Sequence, residues 1–94
     1  HIVTWDEVSQ MDSNDYVLLD VRSEVEFRNG HIDGALNIPV DELRSRLDEL
    51  DKNKQIVIYC QVGQRGYIAD RILSQRGYNA VNISGGYKSR PLPK

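Results

Sequence analysis

Apolar residues fall in short blocks along this chain, and the spacing within each block predicts its secondary structure. Residues 16–20 form an apolar run that ends in Asp20, which predicts a buried strand with a carboxylate at its end. Residues 56–59 are the most apolar run, and their lack of polar alternation predicts a strand buried on both faces at the centre of a parallel sheet. Three shorter runs predict further strands, at 2–3, 35–38 and 80–83, with 2–3 at an edge. The strand predicted at 35–38 must be short, because Pro39 follows it and cannot donate a backbone hydrogen bond.

Two four-residue patterns mark the starts of short helices. Thr4-x-x-Glu7 and Ser23-x-x-Glu26 are capping boxes, in which a hydroxyl and a carboxylate satisfy the first free backbone amides of a helix. We therefore expect one helix after each of these residues.

Leucine spacing predicts a third helix after Pro39, and a fourth follows residue 64. Leu43, Leu47 and Leu50 recur at i, i+4 and i+7, which places one apolar stripe inward. The fourth helix turns Ile68, Ala69, Ile72 and Leu73 inward and ends near Gly77. Strands and helices thus alternate, which predicts an α/β domain with helices on both faces of a mostly parallel sheet.

Length and composition favour one small domain. The 94 residues are 39% apolar and 28% charged, so residues 1–94 are predicted to form a single domain, with a flexible tail at 90–94. No apolar run approaches the roughly 20 residues of a membrane span, and no secretory leader is visible, which predicts a cytoplasmic protein that does not enter a membrane. A start at His1 rather than Met predicts a fragment of a longer chain.

Cysteine content and charge limit the chemistry further. A single cysteine with two histidines predicts neither an internal disulfide nor a structural metal site. Residues 1–51 carry 4 basic and 13 acidic side chains, whereas residues 52–94 carry 8 and 1. The basic half, which holds Cys60, suits a small anionic substrate, while the near-neutral total argues against nucleic acid. Mutual attraction of the two halves is an equal alternative.

The candidate chemistry lies at Cys60 and the loop that follows it. Ligands of open α/β sheets bind at the carboxyl ends of strands, which is where this cysteine is predicted to lie. A tight turn through Gly63 into a helix can aim backbone N–H groups and the helix dipole at one point, which stabilises a thiolate or a bound anion. A lone cysteine is otherwise more often an inert buried residue.

Four segments resemble the rhodanese-like sulfurtransferases. They are Asp20-Val21-Arg22, the run Glu26-Phe27-x-x-Gly30-His31-Ile32-x-Gly34-Ala35-x-Asn37-Ile38-Pro39, the loop Cys60–Arg65, and Gly85-Gly86-Tyr87. The resemblance implies a five-stranded, mostly parallel sheet flanked by helices. It also implies a catalytic Cys60 that takes sulfane sulfur as a persulfide from thiosulfate or a low-molecular-weight persulfide and passes it to a thiol or cyanide.

Roles for the other site residues follow from this resemblance and from their chemistry. The amides of Gln61, Val62, Gly63, Gln64 and Arg65 would hold the persulfide charge. Arg65 could bind an anionic donor or brace the loop in an ion pair, with Asp20 as the expected partner. Asp20 and Arg22 match a structural element of the family, and His31 is expected to pack in a turn rather than act as a base. With no second cysteine, the acceptor thiol must come from outside this domain.

Two rival functions remain open. Cysteine-dependent phosphatases and some arsenate reductases resemble this arrangement but place five residues between cysteine and arginine, whereas four separate Cys60 from Arg65. The shorter loop favours sulfur over phosphate or arsenate. Rhodanese-like domains also serve as non-catalytic docking or regulatory modules, although those lack the active cysteine that this chain retains.

A narrower resemblance concerns the neighbours of this domain. Residues 66–73 and 85–88 resemble the rhodanese domain attached to flavoproteins of the coenzyme A disulfide reductase type. That would imply a coenzyme A persulfide as donor and a partner domain that carries FAD and nicotinamide. No cofactor is expected in this domain, since it contains no G-x-G-x-x-G motif. A stand-alone sulfurtransferase is the alternative.

Overall fold

The protein is described by a computed structural model that covers residues 1–91. Five parallel strands form one sheet: β1 (Ile2–Val3), β2 (Tyr16–Asp20), β3 (Leu36–Asn37), β4 (Gln55–Tyr59) and β5 (Ala80–Ile83). Their order across the sheet is β1-β5-β4-β2-β3, so β4 lies at the centre. The predicted parallel sheet, its buried central strand and its edge strand at 2–3 are confirmed.

Three α-helices connect these strands: α1 (Trp5–Ser9), α2 (Glu24–Arg28) and α3 (Gln64–Gln75). Both predicted capping boxes form. In each, the hydroxyl accepts the N–H three residues on, and the glutamate accepts the N–H of the capping residue. These reciprocal bonds explain how helices of five residues begin where they do.

The helix predicted after Pro39 is wrong in type. Residues there form two 3₁₀ helices, Val40–Ser45 and Leu47–Glu49, separated by Arg46, which leaves helical geometry at φ −125° and ψ 22°. Arg46 pairs with Glu42 and Glu49 across that break. The leucine stripe still faces the core, because Leu43 and Leu50 are buried and Leu47 packs against them. Apolar spacing fixed the inward face but could not distinguish the two helix types.

Two hydrophobic clusters cover the two faces of the sheet. On one face, α3 and the 3₁₀ segment pack on alternate residues of β4, including Ile56 and Ile58, and Cys60 continues that series. On the other face, Val8 of α1 packs against Val57 and Tyr59. The prediction of helices on both faces is confirmed, and Cys60 is placed at the end of the central strand.

The described part of the predicted tail contains one packed side chain. Arg90 donates to the backbone oxygen of Tyr87 and lies over its ring, 3.8 Å from the ring centre. The rest of that predicted tail, residues 92–94, lies outside the described residues.

Within residues 1–91, no helix combines the length and apolar character that crossing a membrane would require.

Candidate active site

Cys60 follows the carboxyl end of β4, at the centre of the sheet, and is 1% exposed. Its side chain packs in the cluster beneath α3, so the thiol lies under the loop rather than on the surface. The sulfur is nevertheless not surrounded by hydrocarbon alone. The backbone N–H of Gly63 donates a hydrogen bond to Sγ at 2.9 Å, the contact expected of a loop that stabilises sulfur charge.

The first two peptide groups of the loop are held by the segment after β5. Tyr87 donates its N–H to the Cys60 oxygen at 2.6 Å, and Lys88 donates to the Gln61 oxygen at 3.0 Å. In a trans peptide the N–H points away from the carbonyl of the same unit. The N–H groups of Gln61 and Val62 therefore point away from residues 87 and 88.

Gly63 makes the turn from the loop into α3. It adopts a left-handed conformation, φ 112° and ψ −19°, which disfavours any residue with a side chain. Its oxygen accepts the first helical hydrogen bond, from Tyr67 at 3.0 Å, and a second bond from the Asn82 amide at 3.1 Å. The glycine predicted from the sequence thus begins the helix and brings its own N–H onto the sulfur.

Several loop amides have no acceptor within the described part of the chain. The N–H groups of Gln61, Val62, Gln64 and Arg65 donate to no atom of residues 1–91, whereas Gly63 donates to Sγ. Free amides at a helix start attract anions through their partial charges. The loop can therefore hold negative charge next to Cys60.

Arg65 is bound in an ion pair, but with a different partner from the one expected. Its two terminal nitrogens donate to the two oxygens of Glu26 at 2.6 and 3.0 Å. The hydrogen bond from Arg65 holds the pKa of Glu26 at about 2, and in return Glu26 raises the pKa of Arg65. The expectation of Asp20 as partner is wrong, because the Asp20 carboxylate is already bound by Arg22.

Asp20 and Arg22 form a buried ion pair beneath the loop. Arg22 donates through Nε and a terminal nitrogen to both oxygens of Asp20, at 2.7 to 3.1 Å. Although burial alone would lower the pKa of Arg22, its bonds to Asp20 raise that pKa above its usual value. The same guanidinium donates to the Gly30 oxygen at 2.8 Å and to Gln61 Oε1 at 3.3 Å. Arg22 therefore connects β2, the turn after α2 and the cysteine loop.

His31 makes local contacts in the turn after α2. Its Nδ1 lies 2.8 Å from the Phe27 oxygen, and its ring stacks on Phe27 with ring centres 3.6 Å apart. The side chain is exposed. These contacts agree with the packing role expected for it.

The remaining loop residues differ in exposure. Gln61 is half-buried and receives the bond from Arg22, whereas Val62 is 52% exposed and Gln64 is also exposed.

A shallow cavity lies beside the start of α3, where Val21, Ser23, Pro39 and Arg65 contribute to its walls. Within residues 1–91, no three or more His, Cys, Asp or Glu side chains are grouped to hold a metal ion.

Three residues that support the loop were not given roles from the sequence. The guanidinium carbons of Arg22 and Arg90 lie over the Tyr87 ring, 4.2 and 3.8 Å from its centre. Trp5 donates its ring N–H to the Gly86 oxygen at 2.9 Å. Asn82 binds Gly63. Two of them offered a signal: Asn82 is a polar residue within an apolar strand, and Tyr87 belongs to the Gly85-Gly86-Tyr87 segment that carries the family resemblance.

The chain is similar to known proteins in sequence and in fold. Residues 4–89 match the family described as Rhodanese-like domain. The chain is 37% identical over 78 residues to the thiosulfate sulfurtransferase PspE of Escherichia coli, covering 81% of this chain and 75% of that protein.

Two solved structures contain a similar domain within much larger chains. Reduced CoADR-RHD of Bacillus anthracis is 46% identical with a TM-score of 0.86, over 93% of this chain and 16% of that one. A NAD-dependent persulfide reductase from A. fulgidus is 42% identical with a TM-score of 0.66, over 82% of this chain and 14% of that one. The family match spans almost all of the described residues, and the chain belongs to the rhodanese-like domain family.

Proposed function

We propose that this domain is a sulfurtransferase that carries sulfane sulfur as a persulfide on Cys60. The observation that carries the proposal is the bond from the Gly63 N–H to Cys60 Sγ, in a loop whose other amides have no acceptor among residues 1–91. These groups would stabilise first a thiolate and then the terminal sulfur of a persulfide. The homologous E. coli protein is a thiosulfate sulfurtransferase, which supports the same chemistry.

The reaction has two displacements at sulfur. The Cys60 thiolate attacks the outer sulfur of thiosulfate, a new S–S bond forms, and sulfite leaves with the electron pair of the bond that breaks. A thiolate or cyanide then attacks the outer sulfur of the persulfide, and the Cys60 thiolate is regenerated. Each step conserves charge and requires no external oxidant or reductant. Because Cys60 is 1% exposed, the loop must admit the donor to Sγ for the first step.

The acceptor and any redox partner are proposed to lie outside this domain. Cys60 is the only cysteine of the chain, so a second thiol must be supplied by a small molecule or another protein. The similar domain in CoADR-RHD lies within a longer chain, which supports a partner domain. From the resemblance of residues 66–73 and 85–88 we further propose that coenzyme A persulfide is a donor and that the partner domain would hold FAD and nicotinamide. We place this activity in the cytoplasm, where thiols stay reduced.

The test is mass spectrometry of the intact domain after exposure to thiosulfate. The wild type should gain the mass of one sulfur atom, and cyanide should remove it as thiocyanate. Cys60→Ser provides the matched control and should gain nothing. A low-molecular-weight persulfide, such as coenzyme A persulfide, is offered as a second donor. No adduct with either donor would contradict the proposal.

The near-complete burial of Cys60 favours one alternative, a non-catalytic docking module. In that case the wild type would behave like Cys60→Ser with every donor. The phosphatase and arsenate reductase alternatives are tested separately with phosphotyrosine and arsenate. The loop of four residues between Cys60 and Arg65 predicts no turnover of either.

A further inference from the structure

Asn82 is a buried polar residue in the middle of β5. Its neighbours in that strand are Ala80, Val81 and Ile83, and Asn82 itself is 6% exposed. It lies between Ile2 of β1 and Ile58 of β4 in the sheet register. An apolar residue would be the ordinary choice at such a position.

The side chain of Asn82 is only partly satisfied. Its Nδ2 donates to the Gly63 oxygen at 3.1 Å, while its Oδ1 has no hydrogen-bond partner among residues 1–91. A buried acceptor without a donor destabilises a fold. The amide group is therefore poorly explained by stability alone, and its one hydrogen bond leads to the cysteine loop.

The start of α3 is shaped to receive this side chain. A Cβ added at Gly66 would overlap Oδ1 and lie 2.8 Å from Cγ of Asn82. Gly66 is itself buried in the first turn of the helix. The absence of a side chain at 66 lets the Asn82 amide pass beneath the helix and reach Gly63.

We infer that Asn82 is a positioning residue, which holds the Gly63 carbonyl so that the Gly63 N–H stays on the Cys60 sulfur. Gly63 has no side chain through which packing could fix it, and a glycine at positive φ moves readily to other backbone conformations. Its oxygen is held by Tyr67 and Asn82, and its N–H donates to Sγ. Without the Asn82 bond, Tyr67 alone would hold the Gly63 oxygen, so the turn at Gly63 would become more mobile while the helix is retained.

The experiment substitutes Asn82→Leu, which keeps the branched shape of the side chain and removes both polar amide atoms. Nuclear magnetic resonance should show a changed amide proton shift at Gly63. Hydrogen exchange of the Gly63 amide should become at least about tenfold faster relative to that of the Leu73 amide within α3. Asn82→Ala serves as a second variant if leucine prevents folding. Val81→Ala is the matched control, since it alters the opposite face of β5 and should leave that ratio unchanged.

Sulfur loading provides an independent second measurement, which rests on the proposed function. Asn82→Leu should load sulfur from thiosulfate severalfold more slowly than the wild type. If the wild type loads sulfur and the Gly63 amide of a folded Asn82 variant is unchanged, the inference is overturned while the proposed function stands. If the wild type takes no sulfur but Gly63 responds as expected, the proposed function fails and Asn82 still positions Gly63.

Discussion

Arg65 joins the start of α3 to α2 through a two-point ion pair with Glu26, at 2.6 and 3.0 Å. Glu26 is also the carboxylate that accepts the Ser23 N–H in the capping box of α2. The Glu26 side chain therefore completes the capping box of α2 and also holds Arg65, which follows the cysteine loop.

The pair predicts a stability change in acid. Because Arg65 holds the pKa of Glu26 at about 2, below its ordinary 4.5, the stabilisation is complete above about pH 4.5 and is lost as the pH falls through 2. Both side chains are about one third exposed, at 35% and 34%, so water screens the pair. We expect Glu26→Gln to lower the free energy of unfolding by roughly 0.5 to 1 kcal/mol at pH 6 and to match the wild type near pH 2.

Urea unfolding measured between pH 2 and 6 checks this expectation. Glutamine still accepts the Ser23 N–H, so the capping box is retained in the variant. Glu24→Gln is the control on the same helix, since its ion pair with Arg28 is longer and more exposed, and it should show a smaller difference. If the difference in unfolding free energy between the wild type and Glu26→Gln does not vary with pH, Arg65 does not lower the pKa of Glu26.

The same pair predicts how Arg65 contributes to sulfur loading. If Arg65 acts as a brace, then Arg65→Met and Glu26→Gln remove the same interaction. We expect both to slow loading from thiosulfate to a similar small extent, measured as the rate of mass gain over a range of thiosulfate concentrations. A KM for thiosulfate raised by Arg65→Met alone would instead assign the guanidinium to the donor.

Arg22 is predicted to resist even conservative replacement. Its guanidinium binds Asp20 at two points and also reaches Gly30 and Gln61, which a single ammonium cannot do. Arg22→Lys should lower the free energy of unfolding by about 2 to 4 kcal/mol, because it leaves a buried carboxylate poorly paired. Arg28→Lys, at an exposed pair, should cost less than about 0.5 kcal/mol. Equal effects of the two substitutions in thermal and urea unfolding would refute this prediction.

Gly86 is predicted to be required by its close contact with the cysteine loop. It has φ 59°, and an added Cβ would overlap the Cys60 oxygen and lie 2.8 Å from the Gln61 oxygen. Gly86→Ala should therefore displace the segment that binds those carbonyls, with a loss of about 2 kcal/mol or more and slower sulfur loading.

Gly34→Ala is the matched control for this substitution. Gly34 also has a positive φ, 84°, but its added Cβ would meet nothing within 4 Å. Its cost should be limited to backbone strain of about 1 kcal/mol, with loading unchanged. If both variants load sulfur at the wild-type rate, the contact between Gly86 and the loop does not support the site.

Most of the element pattern followed from local sequence. The capping boxes at Thr4 and Ser23 and the apolar strand Gln55–Tyr59 rest on neighbouring residues, so the sequence predicted them well. Local spacing did not determine the helix type of the segment after Pro39. An inward leucine stripe is compatible with both α and 3₁₀ geometry, and the break at Arg46 decides between them.

The sequence by itself determined the parallel α/β sheet, the place of Cys60 at the end of the central strand and the turn at Gly63. Short-range spacing and the conformational freedom of glycine are sufficient for these features. Only the tertiary structure decided that Arg65 pairs with Glu26 and that Asn82, Tyr87 and Lys88 hold the loop. These partners are separated by about twenty to forty positions along the chain, and side chains so distant in sequence meet only after the sheet has brought their strand ends together.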